Sequence, residues 1–262
     1  MRGDHKNVRV DVEAPNLEIL NIYSEKLGNY SFKDMPFLRE AYIEVSHPRC
    51  SISVLHSSLE SLLQSLSRVR VFKLSSACIL ALSLRALQNL PALIFKHKHL
   101  ILETGLTIWE LKGIAYLMKN SPDLETLVMK LSAQNAYYDL NTTLATKLNF
   151  NETEHWESFL SPFSCVVLHL KTIEIWDSAG EVYLTLRESS TSDVSETSLG
   201  SQGNGIRLLR LCLERAMCLE KLTLYINKID FKAMQEIAQI IRAFPRASSS
   251  AVVLVCKYEV KL

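Results

Sequence analysis

Leu117–Met129 reads LMKNSPDLETLVM, and Cys212–Leu224 reads CLERAMCLEKLTL. In each stretch a helix-like run passes through a short turn into apolar residues spaced L-x-x-L-x-L. Leu124, Leu127 and Met129 of the first fall on Leu219, Leu222 and Leu224 of the second. The last two apolar positions alternate with polar ones, the period of a strand with one buried face. A single helix-and-strand unit cannot bury its own apolar face, so a chain that writes the unit repeatedly must stack neighbours to make a core.

The same spacing occurs at Leu17-x-x-Leu20-x-Ile22, Leu38-x-x-Ala41-x-Ile43, Val69-x-x-Phe72-x-Leu74, His97-x-x-Leu100-x-Leu102 and Leu170-x-x-Ile173-x-Ile175. Seven strands are therefore expected, beginning at 17, 38, 69, 97, 124, 170 and 219, at steps of 21, 31, 28, 27, 46 and 49 residues. The first four steps suit leucine-rich repeats, and the last two require an insertion or a separate module. Helical spacing appears at Leu59–Leu66, Thr107–Lys119 and Ile206–Ala216. It appears again at Phe231–Phe244, where Asp230 is placed to cap and Pro245 to stop. The stripe of that last helix is Phe231, Met234, Ile237, Ala238 and Ile241. Ala251–Cys256 reads as a buried strand. Ser132–Thr153 reads as a long connection, and Arg187–Gly205, with six serines and three glycines, as a mobile loop. The fold class expected is α/β, a leucine-rich-repeat solenoid of short parallel strands alternating with helices.

In such a ladder the residues between the buried ones face the concave side. That set holds Asn21, Tyr23, Tyr42, Glu44, Lys73, Ser75, His99, Glu103, Val128, Lys130, Glu174, Trp176, Thr223 and Tyr225. Tyr42, Lys73, Trp176 and Tyr225 are the candidate partner-binding residues, because exposed aromatics are the anchors that dominate protein interfaces.

Bulk composition bounds the function. Lys and Arg number 29 against 28 acidic residues, a net charge of +1, which speaks against a nucleic-acid partner, and no Lys/Arg run marks a local basic patch. The six cysteines include no C-x-x-C pair and read as free thiols of a reducing compartment. No signal peptide stands at the start, and no apolar run approaches the roughly 18 residues of a membrane span. An intracellular protein of cytoplasm or nucleus, without membrane attachment, is expected. His97 and His99 lack further metal ligands nearby, Gly200-x-x-Gly203-x-Gly205 lacks the lysine of a phosphate loop, and no G-x-S-x-G occurs. The expectation is therefore no catalytic residue, no metal and no cofactor: a binding protein and not an enzyme.

Ile237–Leu254, IAQIIRAFPRASSSAVVL, resembles the C-terminal end of the FBD module found in a plant family of F-box proteins with leucine-rich repeats. Trp156, Ser161–Cys165, Leu168–Ile175 and Cys212–Leu224 resemble other parts of that module in the same order. Ala14–Glu18 and Lys98–Leu100 resemble repeat strands of the same family. The resemblance implies a repeat region over 1–131, a connecting segment over 132–155, and an FBD-like α/β domain over 156–262 that carries the loop 187–205. Family members usually begin with an F-box that docks a Skp adaptor of a cullin-type ubiquitin ligase, and no such stretch precedes Asp11. The implied role is the substrate-recognition part of a ligase subunit, holding a protein substrate without itself docking the adaptor. The alternatives are a small-molecule sensor on the concave repeat face, or a truncated family member without retained function.

Overall fold

The computed structural model describes residues 9–33, 35–46, 52–131, 168–178, 204–227 and 229–258. The expected connection Ser132–Thr153 lies outside them, as does the expected loop as far as residue 203. Asn204 and Gly205 do not belong to a loop: they open a helix.

Ten strands and five helices occur among the described residues. In chain order they are β1 (Arg9–Glu13), β2 (Ile19–Ser24), β3 (Asn29–Lys33), β4 (Glu40–Val45), α1 (Ile52–Ser65), β5 (Val71–Leu74) and α2 (Ser76–Leu87). There follow β6 (His99–Thr104), α3 (Ile108–Lys119), β7 (Thr126–Leu131), β8 (Thr172–Asp177), α4 (Asn204–Arg215), β9 (Lys221–Asn227), α5 (Phe231–Arg242) and β10 (Val252–Tyr258). Eight strands form one sheet in the order β10-β9-β8-β7-β6-β5-β4-β2, every neighbouring pair parallel. The architecture is thus α/β, with parallel strands alternating with helices, compatible with a leucine-rich-repeat-like solenoid.

The register follows the motif without a slip. Ile19, Glu40, Val71, His99, Thr126, Thr172 and Lys221, each two residues into its motif, lie side by side, and Val252 extends the row. A slip of one residue would turn each strand's apolar set to the wrong face, so the alternating pattern pins the pairing. The helix-side residues stack into a continuous core: Phe72, Leu74, Leu100, Leu102, Leu127, Met129, Ile173, Ile175, Leu222 and Leu224 are each at most 1% exposed. The motif's first positions, Leu124 and Leu219, are as deeply buried. His97 fills the same slot in its own unit. It is fully buried, stacked between Phe72 (centroids 4.5 Å) and Phe95 (5.2 Å), with Nδ1–H donating to the Val69 carbonyl at 2.8 Å.

Step length decides what fills the return path. The steps of 31, 28 and 27 residues leading away from β4, β5 and β6 hold α1, α2 and α3. The step of 21 between β2 and β4 is too short for a helix and two turns, and holds the extended β3 instead. β3 pairs in parallel with β1 as a separate two-stranded sheet, which the motif search does not detect. α2 is a further element that the motif search does not pick out, and it is enclosed on every side: Ser76 through Arg85 are all buried.

Local chemistry sets the helix ends. Thr107 and Glu110 form a reciprocal capping box on α3, and Asp230 accepts from the Ala233 N–H at 2.7 Å at the start of α5. The core side of α5 is Ala233, Ile237 and Ile241, rotated from the expected stripe, so that Phe231 stands 68% exposed. β10 is likewise no buried strand. It is the sheet edge, with Val253 buried but Val252 and Leu254 exposed. The FPRASSS turn between α5 and β10 is pinned to the preceding unit. Ser248 Oγ donates to the Leu219 carbonyl at 2.7 Å, and the Ala247 N–H donates to the Leu213 carbonyl at 2.9 Å. Cys78 and Cys212 are buried free thiols whose pKa burial pushes up to about 12.

Candidate binding face

Two rows of side chains run across the strand face turned away from the helices. The first aligns Asn21, Tyr42, Lys73, Ile101, Val128, Glu174, Thr223 and Leu254. The second carries Tyr23 beside Glu44, and then Glu103, Lys130, Trp176, Tyr225 and Cys256 in succession. The four residues singled out by sequence all lie in these rows, and they form two separate pairs.

Tyr42 and Lys73 make the first pair, with the Lys73 ammonium 3.7 Å above the Tyr42 ring centroid. Lys73 also binds Glu103 at 2.7 Å. The Tyr42 hydroxyl lies 2.6 Å from Glu44 Oε2 and 2.9 Å from Glu103 Oε2. A phenol has one O–H, so it donates to one carboxylate at a time. Burial first, and then the two carboxylates, push the Tyr42 phenol well above its ordinary pKa, and it remains a donor. Tyr23 packs edge-on against the ring at 5.2 Å. Tyr42 is therefore no free anchor. It is only 8% exposed, enclosed by its neighbours, and it holds Lys73 in place.

Trp176 and Tyr225 make the second pair, stacked at 4.0 Å and 18°. Tyr258, from the edge strand, closes on Trp176 edge-to-face at 5.3 Å. The Trp176 indole N–H reaches Glu174 Oε2 at 3.3 Å. Between the two pairs stands Lys130, exposed and without an ion pair to any described residue. A cavity of about 310 Å³ opens here, lined by Glu103, Lys130, Leu131, Trp176, Ser178 and Tyr258. Sequence reasoning passed over Tyr258, which lies beyond the Ala251–Cys256 strand it expected. The signal was present, since continuing the apolar alternation of Val253 and Val255 puts Tyr258 on the open side.

His97 and His99 do not converge. His97 is enclosed in the core, while His99 is half-buried on the open face. Among the described residues no group of three or more His, Cys, Asp and Glu side chains is placed to hold a metal ion. No helix among them is long and apolar enough to cross a membrane.

No family model matches the chain. No solved structure matches it. A protein of Arabidopsis thaliana named as an F-box/LRR-repeat protein is 28% identical over 156 residues, covering 57% of this chain and 34% of that protein. The match thus spans about a third of the relative's length. Together with the parallel strand ladder, this likeness supports a relationship to the F-box/leucine-rich-repeat proteins and is consistent with a protein-interaction module.

Proposed function

We propose that the chain is a protein-binding module of F-box/leucine-rich-repeat descent, with residues 156–262 forming an FBD-like unit, and that its open strand face holds a protein substrate. In this reading it is the substrate-recognition part of a cullin-type ubiquitin ligase subunit and not an enzyme. The observation that carries the reading is the Trp176–Tyr225–Tyr258 aromatic cluster beside the cavity and the exposed Lys130. Trp and Tyr are among the residues enriched at interface hot spots, where a few large aromatic side chains supply most of the binding energy. Lys73 contributes its ammonium, and Tyr42 positions it.

The test is capture of partner proteins by the intact chain and by a Trp176→Ala/Tyr225→Ala/Lys130→Ala variant of unchanged thermal stability. Loss of the same partners from the variant supports the face. Undiminished capture moves the site elsewhere. The cavity also favours a second reading, a small-molecule sensor. In that case a metabolite would raise the melting temperature of the wild type and not of Trp176→Ala.

A further inference from the structure

The turns that lead into the strands carry a second surface, at the opposite strand ends from the cavity. The second position of all seven motifs is charged: Glu18, Arg39, Arg70, Lys98, Glu125, Lys171 and Glu220. The sheet ladder continues through this row. The N–H of Arg39 bonds the Glu18 carbonyl, that of Arg70 the Arg39 carbonyl, that of Lys98 the Arg70 carbonyl and that of Glu125 the Lys98 carbonyl, all at 2.9–3.0 Å. Adjacent members are therefore about one strand spacing apart, roughly 4.8 Å between backbones.

Most of the row alternates in sign, but Arg39, Arg70 and Lys98 stand consecutively. Arg68 and Lys96, on the turns before β5 and β6, add two more exposed cations. Of these five, Lys98 is paired, with Glu125 at 2.6 Å, and the other four make no ion pair with a described residue. The collective field is felt at Glu125, whose carboxyl is held below its usual range by Lys98 first, with Lys171 and Arg70 adding to it. Like charges at neighbouring ladder positions repel, and a bound negative group would relieve that repulsion.

We propose that the rim formed by Arg39, Arg68, Arg70, Lys96 and Lys98 is a docking site for a short acidic segment of a protein. Charge geometry selects this over nucleic acid. Glu18 ends the row on one side and Glu125 on the other, Glu40 stands at the head of β4, and Asp123 lies beside Glu125 in the turn before β7. A nucleic acid would run its phosphates past the patch into these carboxylates, whereas a peptide with a few acidic side chains ends where the cations end. The net charge of +1 supplies no long-range attraction for a polyanion either. The site stands apart from the aromatic face and does not depend on that face holding substrate.

The test is fluorescence anisotropy on the full chain with a labelled hexaglutamate peptide, a hexalysine peptide and a twelve-nucleotide single strand. Hexaglutamate binds the wild type, with affinity falling as salt rises, and hexalysine does not. Arg39→Glu/Arg70→Glu/Lys96→Glu weakens binding by about tenfold or more, as loss of several charge contacts does. The control Lys33→Glu/Lys232→Glu/Arg242→Glu makes the same change in net charge at exposed sites elsewhere and leaves binding as it was. Should the rim variant melt early, Arg39→Gln/Arg70→Gln/Lys96→Gln removes the charge without reversing it and still weakens binding. Absence of hexaglutamate binding, equal loss in rim and control variants, or tighter binding of the oligonucleotide would each overturn the proposal.

Discussion

Trp176 and Tyr225 face each other across neighbouring parallel strands with ring centroids 4.0 Å apart. Each covers one face of the other, so the pair offers a partner its outer edges and remaining faces, as one rigid aromatic plate and not as two independent side chains. The plate exists because the motif keeps β8 and β9 in register. Sliding either strand by one residue would point one ring into the helices.

The core leucines should dominate stability. Leu127 and Leu222 are fully buried in the stacked ridge. Leu127→Ala and Leu222→Ala are each expected to cost roughly 2–5 kcal/mol, the range for truncation of a core leucine. Urea denaturation measures this, and a cost below about 1 kcal/mol at both sites would contradict the shared ridge.

At Gly113 the backbone of α3 lies directly against α2. A Cβ added there would lie 2.2 Å from the Ile79 carbonyl oxygen and 2.8 Å from Ser83 Oγ. Alanine normally improves a helix interior by about 1 kcal/mol over glycine. Here Gly113→Ala is expected to destabilise, by roughly 1–3 kcal/mol, because backbone must move. A raised melting temperature would show that the two helices are not so close.

His97 makes stability depend on pH. Burial lowers its folded pKa to about 4, against the Val69 hydrogen bond, which acts in the opposite direction. An unfolded histidine titrates near 6.5. Between those values the unfolded chain binds the extra proton, so the stabilisation is complete above about 6.5 and is lost as pH falls toward 4, on the order of 3 kcal/mol. His56, also lowered mainly by burial, acts in the same direction. Urea midpoints at pH 7 and pH 4.5 should differ accordingly, and His97→Phe should narrow the difference. An unchanged difference in that variant would clear His97 of the effect.

Much of this fold was legible because one pattern carries it. The L-x-x-L-x-L spacing places seven strands and their register, since each apolar side chain has one face it can bury. What the pattern missed has physical reasons. β3 fills a return path too short for a helix and β1, ahead of the first motif, pairs with it, while α2 is buried all round and carries Ser76, Ser83 and Arg85 inward with its apolar residues. The binding face was legible in direction but not in contact: parity puts Tyr42 on the open side, and only the three-dimensional neighbours Tyr23, Lys73, Glu44 and Glu103 enclose it. The basic rim was invisible to a search for Lys/Arg runs, because its cations come from turns entering separate strands and meet only when the units stack.

The most direct test of the binding role replaces Ser178, exposed at the cavity wall beside the aromatic cluster, with the photoreactive amino acid benzoylphenylalanine. A matched replacement at Gln235, exposed on α5, serves as the control. Irradiation in extracts is expected to crosslink discrete proteins from position 178, with the same bands absent from position 235 and lost on adding Trp176→Ala. Equal crosslinking from both positions, or crosslinks from position 235 alone, would contradict the assignment of the open strand face as the binding surface.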